Sequence, residues 1–435
     1  MQRVAVLSLH TSPLVQPGEG DGGGMNVYVR ELVSALAHAG VDCTTYTRTW
    51  RTDLPREIVV EPNHRVVHIP AGDVDLPKGD LPAIIPEFTD KVVDHITRNG
   101  GTDVVHANYW LSGVAGHSIK HELDVPLVNT FHTFARVKAL GGDPESAQRE
   151  KAETEIIGCS DAICVSCTEE ERQFTELYGN PPGNIEIVSP GVEHAFFAPG
   201  DKRGARHALS LGDGPVLLFV GRIQPLKGVD VAVQSLAELN RKDAILLVVG
   251  GASGTEGHTE LARVRSMIED LGLDGQVRFV EPQPHHILST YYRAADVVLV
   301  PSRSESFGLV ALEAAACGTP VVANAVGGLL TIVDDGRTGF LVPDRQPDVF
   351  ASHIGRIITD TGFAARMSRA AAEKARGYTW AFAAARLRRL LQAQRLLHRG
   401  FARRGPIGGR IVRLGHRVLH CAQTYRAFNS ETAAQ

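Results

Sequence analysis

The sequence predicts an α/β fold of two Rossmann-like, doubly wound parallel-sheet domains facing each other across a cleft. Three observations predict it. Short continuous apolar runs alternate with amphipathic helical segments, as parallel strands covered on both faces require. The alternation restarts after a Pro/Gly-punctuated stretch near 191–200, which reads as a linker. Glycine-rich turns follow several of the apolar runs, at the strand ends where open α/β sheets bind ligands.

The first set of strands is read at Val4–Leu9, Val104–Ala107, Leu127–Thr130, Ala162–Ser166 and Ile185–Val188. The second is Val216–Val220, Ile245–Val249, Val277–Val280, Val297–Val300 and Val321–Ala323. Helices are expected at Asn26–His38, Val229–Leu239 and Thr259–Leu271. The 435 residues then divide into an N-terminal Rossmann-like domain at 1–195 and a C-terminal Rossmann-like domain at 196–378. A helix at 379–397 crosses back to the first domain. Residues 398–435 form a basic, weakly ordered tail, with Arg399, Arg403, Arg404, Arg410, Arg413, Arg417 and Arg426 against Glu431.

A formal net charge of -4 gives no basic face of the kind a nucleic-acid-binding module shows, so no nucleic acid is expected. No run of about 18 apolar residues exists to span a membrane. The N-terminus reads directly as a strand rather than a signal peptide. The six cysteines show no disulfide framework, which fits the cytoplasm. The Cys164–Cys167 pair lies in an apolar run, ICVSC, and reads as core. A homodimer, and a contact of the basic tail with an anionic membrane, are left open.

Three segments carry chemistry. Gly18–Gly24 (GEGDGGG) precedes a helix, whose bare N–H groups suit an anion. Its fit to the dinucleotide fingerprint is weak, because Thr11–Pro17 separates it from its strand. Gly221–Gly228 (GRIQPLKG) follows the strand Val216–Val220 directly. Its Arg222 and Lys227 offer a planar fork and a compact charge to a diphosphate. The third is Pro301–Gly318, where the amides around Ser306, Phe307, Gly308 and Leu309 open a helix and can hold a diphosphate. Glu305 lies before that helix and Glu313 within it. Their separation is about 12 Å along a helix, the reach from a donor sugar to a nucleotide ribose. A buried Glu313 without a partner is costly, which makes a bound hydroxyl pair an attractive partner.

Together these segments resemble the retaining GT-B glycosyltransferases of glycosyltransferase family 4, over about residues 1–395. The resemblance implies a nucleotide-sugar donor on the C-terminal domain. Arg222 and Lys227 would bind its diphosphate, Glu313 its ribose and Glu305 its sugar, with Gly23, Gly24, Ser306, Phe307, Gly308 and Leu309 completing the donor site. His132 falls at the family's histidine beside the donor sugar and joins Glu305, Arg222 and Lys227 as catalytic. HTSPL at His10–Leu14, GGMNVYV at Gly23–Val29, NYWLSG at Asn108–Gly113 and VSPGV at Val188–Val192 are similar to one branch of the family. That branch transfers N-acetylglucosamine from a uridine diphosphate sugar to inositol phosphate. By this likeness Lys78, Tyr109, Thr133 and Arg149 take the acceptor phosphate, and Asn26 also faces the acceptor.

The sequence departs from that branch at Phe131–His132–Thr133–Phe134 and through Val59–Asp75. The transferred hexosyl group is therefore of the glucose or N-acetylglucosamine type, and a sucrose-phosphate-synthase-like activity on a different acceptor is the alternative, with a non-catalytic sugar-binding protein behind it. Asp73–Val74–Asp75 superficially matches a metal-binding DxD but sits far from the donor segments. No cofactor and no metal are expected for the chemistry, because the two cations can neutralise the leaving diphosphate.

Overall fold

The computed structural model describes residues 1–18 and 22–403. The middle of the glycine loop and the arginine-rich tail beyond Arg403 lie outside the described residues.

One sheet holds β1 (Arg3–Leu7), β2 (Asp42–Arg48), β3 (Glu57–Glu61), β4 (His64–Ile69), β5 (Val104–Asn108), β6 (Leu127–Thr130), β7 (Ala162–Val165) and β8 (Asn184–Ile187). Its order is β3-β4-β2-β1-β5-β6-β7-β8. All neighbours run parallel except β3 and β4. The other holds β9 (Val216–Val220), β10 (Ile245–Val249), β11 (Val277–Val280), β12 (Val297–Val300), β13 (Val321–Asn324) and β14 (Gly339–Val342). It is ordered β11-β10-β9-β12-β13-β14, all parallel. Strands such as VLLFV and ILLVV are buried along nearly their whole length, because helices cover both faces. Chain order reverses beside β1 and beside β9, and such switch points open a crevice at the carboxyl ends of the strands.

Four of these strands, β2, β3, β4 and β14, are absent from the apolar runs read in the sequence. The reason is visible in their side chains. β2 (DCTTYTR) and β4 (HRVVHI) carry buried polar groups among their apolar ones: Thr45 Oγ1 pairs with His64 Nε2 at 3.3 Å, while Thr47 Oγ1 and His68 Nε2 have no hydrogen-bond partner among the described residues. β14 starts on Gly339, where a Cβ would stand 2.3 Å from the Val321 carbonyl oxygen.

The chain crosses between the domains twice, and the crossings touch. Val192 N–H donates to the Tyr378 carbonyl at 3.2 Å. A Cβ on Gly191 would lie 2.2 Å from the Trp380 nitrogen. The terminal helix Trp380–Arg403 then returns to the first domain. It runs on to Arg403 instead of ending at 397. Its Trp380, Ala383, Ala384, Leu387 and Leu391 pack with Val29, Leu32 and Leu36 of the helix Gly24–His38. Arg395 and Arg399 reach Asp103 at 3.0 and 2.9 Å. No helix among the described residues is long and apolar enough to cross a membrane.

Leu387 is fully buried in this seam. Leu387→Ala is expected to cost about 2–5 kcal/mol of stability, seen as a lower urea midpoint for unfolding of the N-terminal domain.

Candidate active site

The donor side is built at the end of β9 and β12. Gly228 has φ +74° and caps the helix Val229–Leu239. A Cβ there would lie 2.5 Å from the Pro301 carbonyl oxygen, so a glycine is needed to bring the β9 loop onto the β12 loop. This closeness sets Lys227 Nζ 2.7 Å from Glu305 Oε2. Arg222 Nη1 approaches Ser253 Oγ at 3.4 Å. Ser306 and Phe307 lead to Gly308, whose φ of +99° starts the helix Leu309–Ala316. The diphosphate-binding candidates thus converge at one helix N-terminus.

Glu313 corrects the sequence argument. It is 5% exposed but not short of partners. His285 Nε2 lies 2.7 Å from its Oε1 and Tyr292 OH donates to its Oε2 at 2.8 Å. Burial disfavours the His285 imidazolium, yet the Glu313 carboxylate outweighs it and holds the His285 pKa above its usual value. A pair of vicinal hydroxyls at Glu313 would exchange with these contacts rather than fill a gap.

Tyr109, Thr133 and Arg149, expected to take the acceptor, lie at the ends of β5 and β6 and on the helix Ala147–Cys159. Arg149 is 1% exposed, in the first turn of the helix Ala147–Cys159 that Ser146 caps. Its Nε donates to Glu153 at 2.8 Å, and Nη1 to Glu145 at 2.7 Å and Tyr109 OH at 3.2 Å. Its Nη2 donates to the Thr133 carbonyl at 2.9 Å and Thr133 Oγ1 at 3.1 Å. Lys78 Nζ stands 5.4 Å from the Tyr109 ring centroid, within cation–π range. Lys78, Tyr109, Thr133 and Arg149 are therefore together. Arg149 has every N–H engaged by the protein, so an anion reaching it directly must displace one of these acceptors.

His10, which the sequence reading did not assign to the site, sits at the centre. Its ring packs against Tyr109 with centroids 4.4 Å apart. Its buried Nδ1 has no hydrogen-bond partner among the described residues. Burial first, then the charges of Lys78, His132, Arg222 and Arg149, drive its pKa well below the usual value. Cationic groups of both domains thus surround one neutral imidazole. Its position at the carboxyl end of a strand at the switch point was the available signal.

Two residues here hold backbone conformations rare outside glycine. Tyr109 has φ 76° and ψ 156°, and His132 has φ 63°. Such strain costs about 1–3 kcal/mol each and clusters at functional sites. His132 Nε2 faces Asn108 Oδ1 at 3.0 Å, and its carbonyl accepts a hydrogen bond from Ser306 Oγ of the other domain. Burial lowers the His132 pKa to about 3 and that of His106 to about 4, so both rings are neutral at neutral pH.

The glycine loop bridges the cleft. A Cβ on Gly23 would stand 3.6 Å from Arg222 Nε, and one on Gly24 3.4 Å from Leu309 Cδ1. Gln16 Nε2 donates to the Pro282 carbonyl at 3.2 Å. Asn26 is 2% exposed, and its amide is used to hold this loop. Oδ1 accepts from Gly23 N at 2.9 Å, while Nδ2 donates to Thr11 Oγ1 at 2.7 Å and the Ser12 carbonyl at 2.6 Å. Asn26, expected to face the acceptor, is hydrogen-bonded to the loop residues Gly23, Thr11 and Ser12. Gly327 and Gly328 close over the opposite wall, where a Cβ on Gly328 would come within 2.3 Å of Phe307 Cα. The sequence reading passed over this second pair.

Two such domains, with cations and a helix N-terminus on one wall and a second cationic cluster on the other, define a GT-B glycosyltransferase. The family model for glycosyl transferases group 1 matches residues 201–374, and that for a glycosyl transferase 4-like domain matches 23–191. A D-inositol 3-phosphate glycosyltransferase of Kribbella flavida is 45% identical over 399 residues, covering 87% of this chain and 93% of the relative. One from Acidothermus cellulolyticus is 44% identical, covering 87% of each. Among solved structures, the sucrose-phosphate synthase of Thermosynechococcus elongatus has a TM-score of 0.84 at 31% identity, over 92% of this chain and 100% of that one. Anabaena HepE in complex with UDP-glucose shares the fold, with a TM-score of 0.73 at 19% identity over 90% of this chain and 100% of that one. The chain belongs to glycosyltransferase family 4.

The neutral His106 and His132 have a consequence for stability. Both folded pKa values lie below the ordinary 6.5, so the unfolded chain binds more protons as pH falls below that value. The stabilising contribution is present in full above pH 6.5 and is lost as pH falls toward 4. Urea unfolding between about pH 7 and pH 5 should show stability falling by up to about 1.4 kcal/mol per pH unit for each such histidine. His132→Asn should flatten that slope.

Proposed function

We propose that this chain transfers a hexosyl group, of the glucose or N-acetylglucosamine type, from a UDP-sugar to inositol phosphate with retention of configuration. The observation that carries the reading is the pair of cationic walls, Lys78 and Arg149 at the Tyr109 ring beside His10 on one side and Arg222 and Lys227 on the other. One phosphate-bearing acceptor and one diphosphate-bearing donor answer that charge. The likeness to named D-inositol 3-phosphate glycosyltransferases at 44–45% identity supports the acceptor.

In this reading Arg222 and Lys227 bind the diphosphate, with the amides of Ser306–Leu309 at its other flank. Glu313 takes the ribose hydroxyls and Glu305 the donor sugar, oriented by its pairing with Lys227. Tyr109, Thr133 and Lys78 receive the acceptor phosphate, and Arg149 orients Tyr109 and Thr133. The bond from the sugar's anomeric carbon to the diphosphate oxygen breaks. A bond from an acceptor hydroxyl forms on the same face, and the hydroxyl proton passes to a diphosphate oxygen. Neutral His132 contributes a hydrogen bond and no charge. Catalysis is positioning plus electrostatic stabilisation of the departing diphosphate, which Arg222 and Lys227 supply without a metal or cofactor. Reduced buried thiols such as Cys43 and Cys164 accord with a cytoplasmic setting.

UDP release from UDP-N-acetylglucosamine and UDP-glucose, measured with inositol phosphate, plain inositol and hexose phosphates, tests the reading. Inositol phosphate should be preferred over inositol. Tyr109→Phe should raise the KM for inositol phosphate about 10-fold, the worth of one hydrogen bond to a charged group. Arg222→Ala should lower kcat about 10²–10³-fold, and EDTA should leave kcat unchanged. Full turnover by Arg222→Ala would contradict the diphosphate assignment. Preference for a hexose phosphate would favour the second reading, which the 31%-identical sucrose-phosphate synthase motivates.

A further inference from the structure

The helix Trp110–Leu123 starts at Tyr109 and the helix Ala147–Cys159 carries Arg149 in its first turn. Their near ends hold the acceptor cluster. Their far ends carry a different group. His117 and His121 stand four residues apart on the first helix, the spacing that puts two imidazoles on one face. Cys159 is the last residue of the second. One ligand atom from each of these three side chains lies within 4.8 Å of the others. His121 Nε2 and Cys159 Sγ are 3.2 Å apart, and the two imidazole centroids are 5.1 Å apart.

We propose that a ring nitrogen of His117, a ring nitrogen of His121 and Sγ of Cys159 bind one divalent cation of the Zn²⁺ class, with water as fourth ligand. The donor set decides the class. Two imidazoles and a thiolate suit Zn²⁺, while oxygen-seeking Mg²⁺ and Ca²⁺ are not served. Zn–N of about 2.0–2.1 Å and Zn–S of about 2.3 Å put tetrahedral ligand atoms about 3.6 Å apart. The present spacings bracket that value, so small side-chain rotations admit the ion. The thiol proton leaves on binding. Both helices end here, and the negative ends of their dipoles favour a cation. Lys120 does not repel it strongly, because its Nζ is paired with Asp161 at 2.7 Å and caps the Cys159 carbonyl at 2.7 Å.

His117 and Cys159 are buried and His121 is exposed, which gives the ion an entry and water its place. From Tyr109 to His121 the helix rises about 18 Å, so this site is separate from the chemistry. Its effect is to clamp the far ends of two helices whose near ends hold Tyr109 and Arg149. The clamp does not depend on which acceptor the enzyme uses.

The test is Co²⁺ titration of the reduced full-length chain, read by absorption. The wild type should take one equivalent with a thiolate-to-cobalt charge-transfer band, and Zn²⁺ should abolish it by displacement. Cys159→Ser should remove the band. His121→Ala, at an exposed position, should weaken Zn²⁺ by at least the roughly 10–100-fold that loss of an outer-shell partner costs. Zn²⁺ at a fixed concentration should raise the unfolding temperature of the wild type clearly more than that of His121→Ala. Absence of the band in the wild type, or its persistence in Cys159→Ser, would overturn the assignment. UDP release by the variants, at wild-type rates, separates failure of this site from failure of the glycosyltransferase reading.

Discussion

The buried guanidinium of Arg149 is the constraint on which the rest of the site depends. A charge withdrawn from water costs several kcal/mol unless it is paired and hydrogen-bonded. Arg149 meets that demand with Glu145, Glu153, Tyr109 and Thr133. In doing so it ties the helix Ala147–Cys159 to the ends of β5 and β6. Glu153 in turn accepts from the Ala135 amide at 2.9 Å and from Tyr178 OH, which fixes the turn after His132. The linkage continues across the cleft. Thr133 adjoins His132, whose carbonyl accepts from Ser306. Ser306 adjoins Glu305, which pairs with Lys227. One chain of contacts therefore runs from Arg149 on one wall to Lys227 on the other.

That chain explains how two strained residues persist. Tyr109 and His132 hold positive φ because their surroundings over-determine them. Arg149 and Lys78 bracket the Tyr109 ring. Tyr28 packs edge-on against His132 with centroids 4.8 Å apart. Relaxing the His132 backbone would break its contact with Ser306 across the cleft, and relaxing Tyr109 would break its contact with Arg149. The strain thus buys a fixed geometry at the points where two substrates must meet.

Much of this was legible in the sequence. The strands at Leu127–Thr130, Val216–Val220, Ile245–Val249, Val277–Val280 and Val297–Val300 match the observed ones, because continuous apolar runs bounded by turns leave little alternative. Lys78, Tyr109, Thr133 and Arg149 also come together as expected from the sequence. What the sequence hid depends on strand order rather than chain order. His285 and Tyr292 come from the turn His285–Ile287 and the helix Leu288–Ala294 before β12, yet they satisfy Glu313. Asn26 looked like a ligand residue and is spent on its own loop. β2 and β4 hide because Thr and His interrupt their apolar runs, with Thr45 and His64 satisfying each other across the strands. The pair His117 and His121 was visible by spacing, but Cys159 joins it only through helix packing.

The central claim is that the two substrate sites are mechanically joined through Ser306 and His132. Calorimetric titration of UDP with and without saturating inositol phosphate measures that coupling directly, and linkage makes it reciprocal. The wild type should bind UDP more tightly when inositol phosphate is present, and Ser306→Ala should lose most of that difference while binding each ligand alone nearly as before. Equal coupling in the wild type and Ser306→Ala would contradict the account.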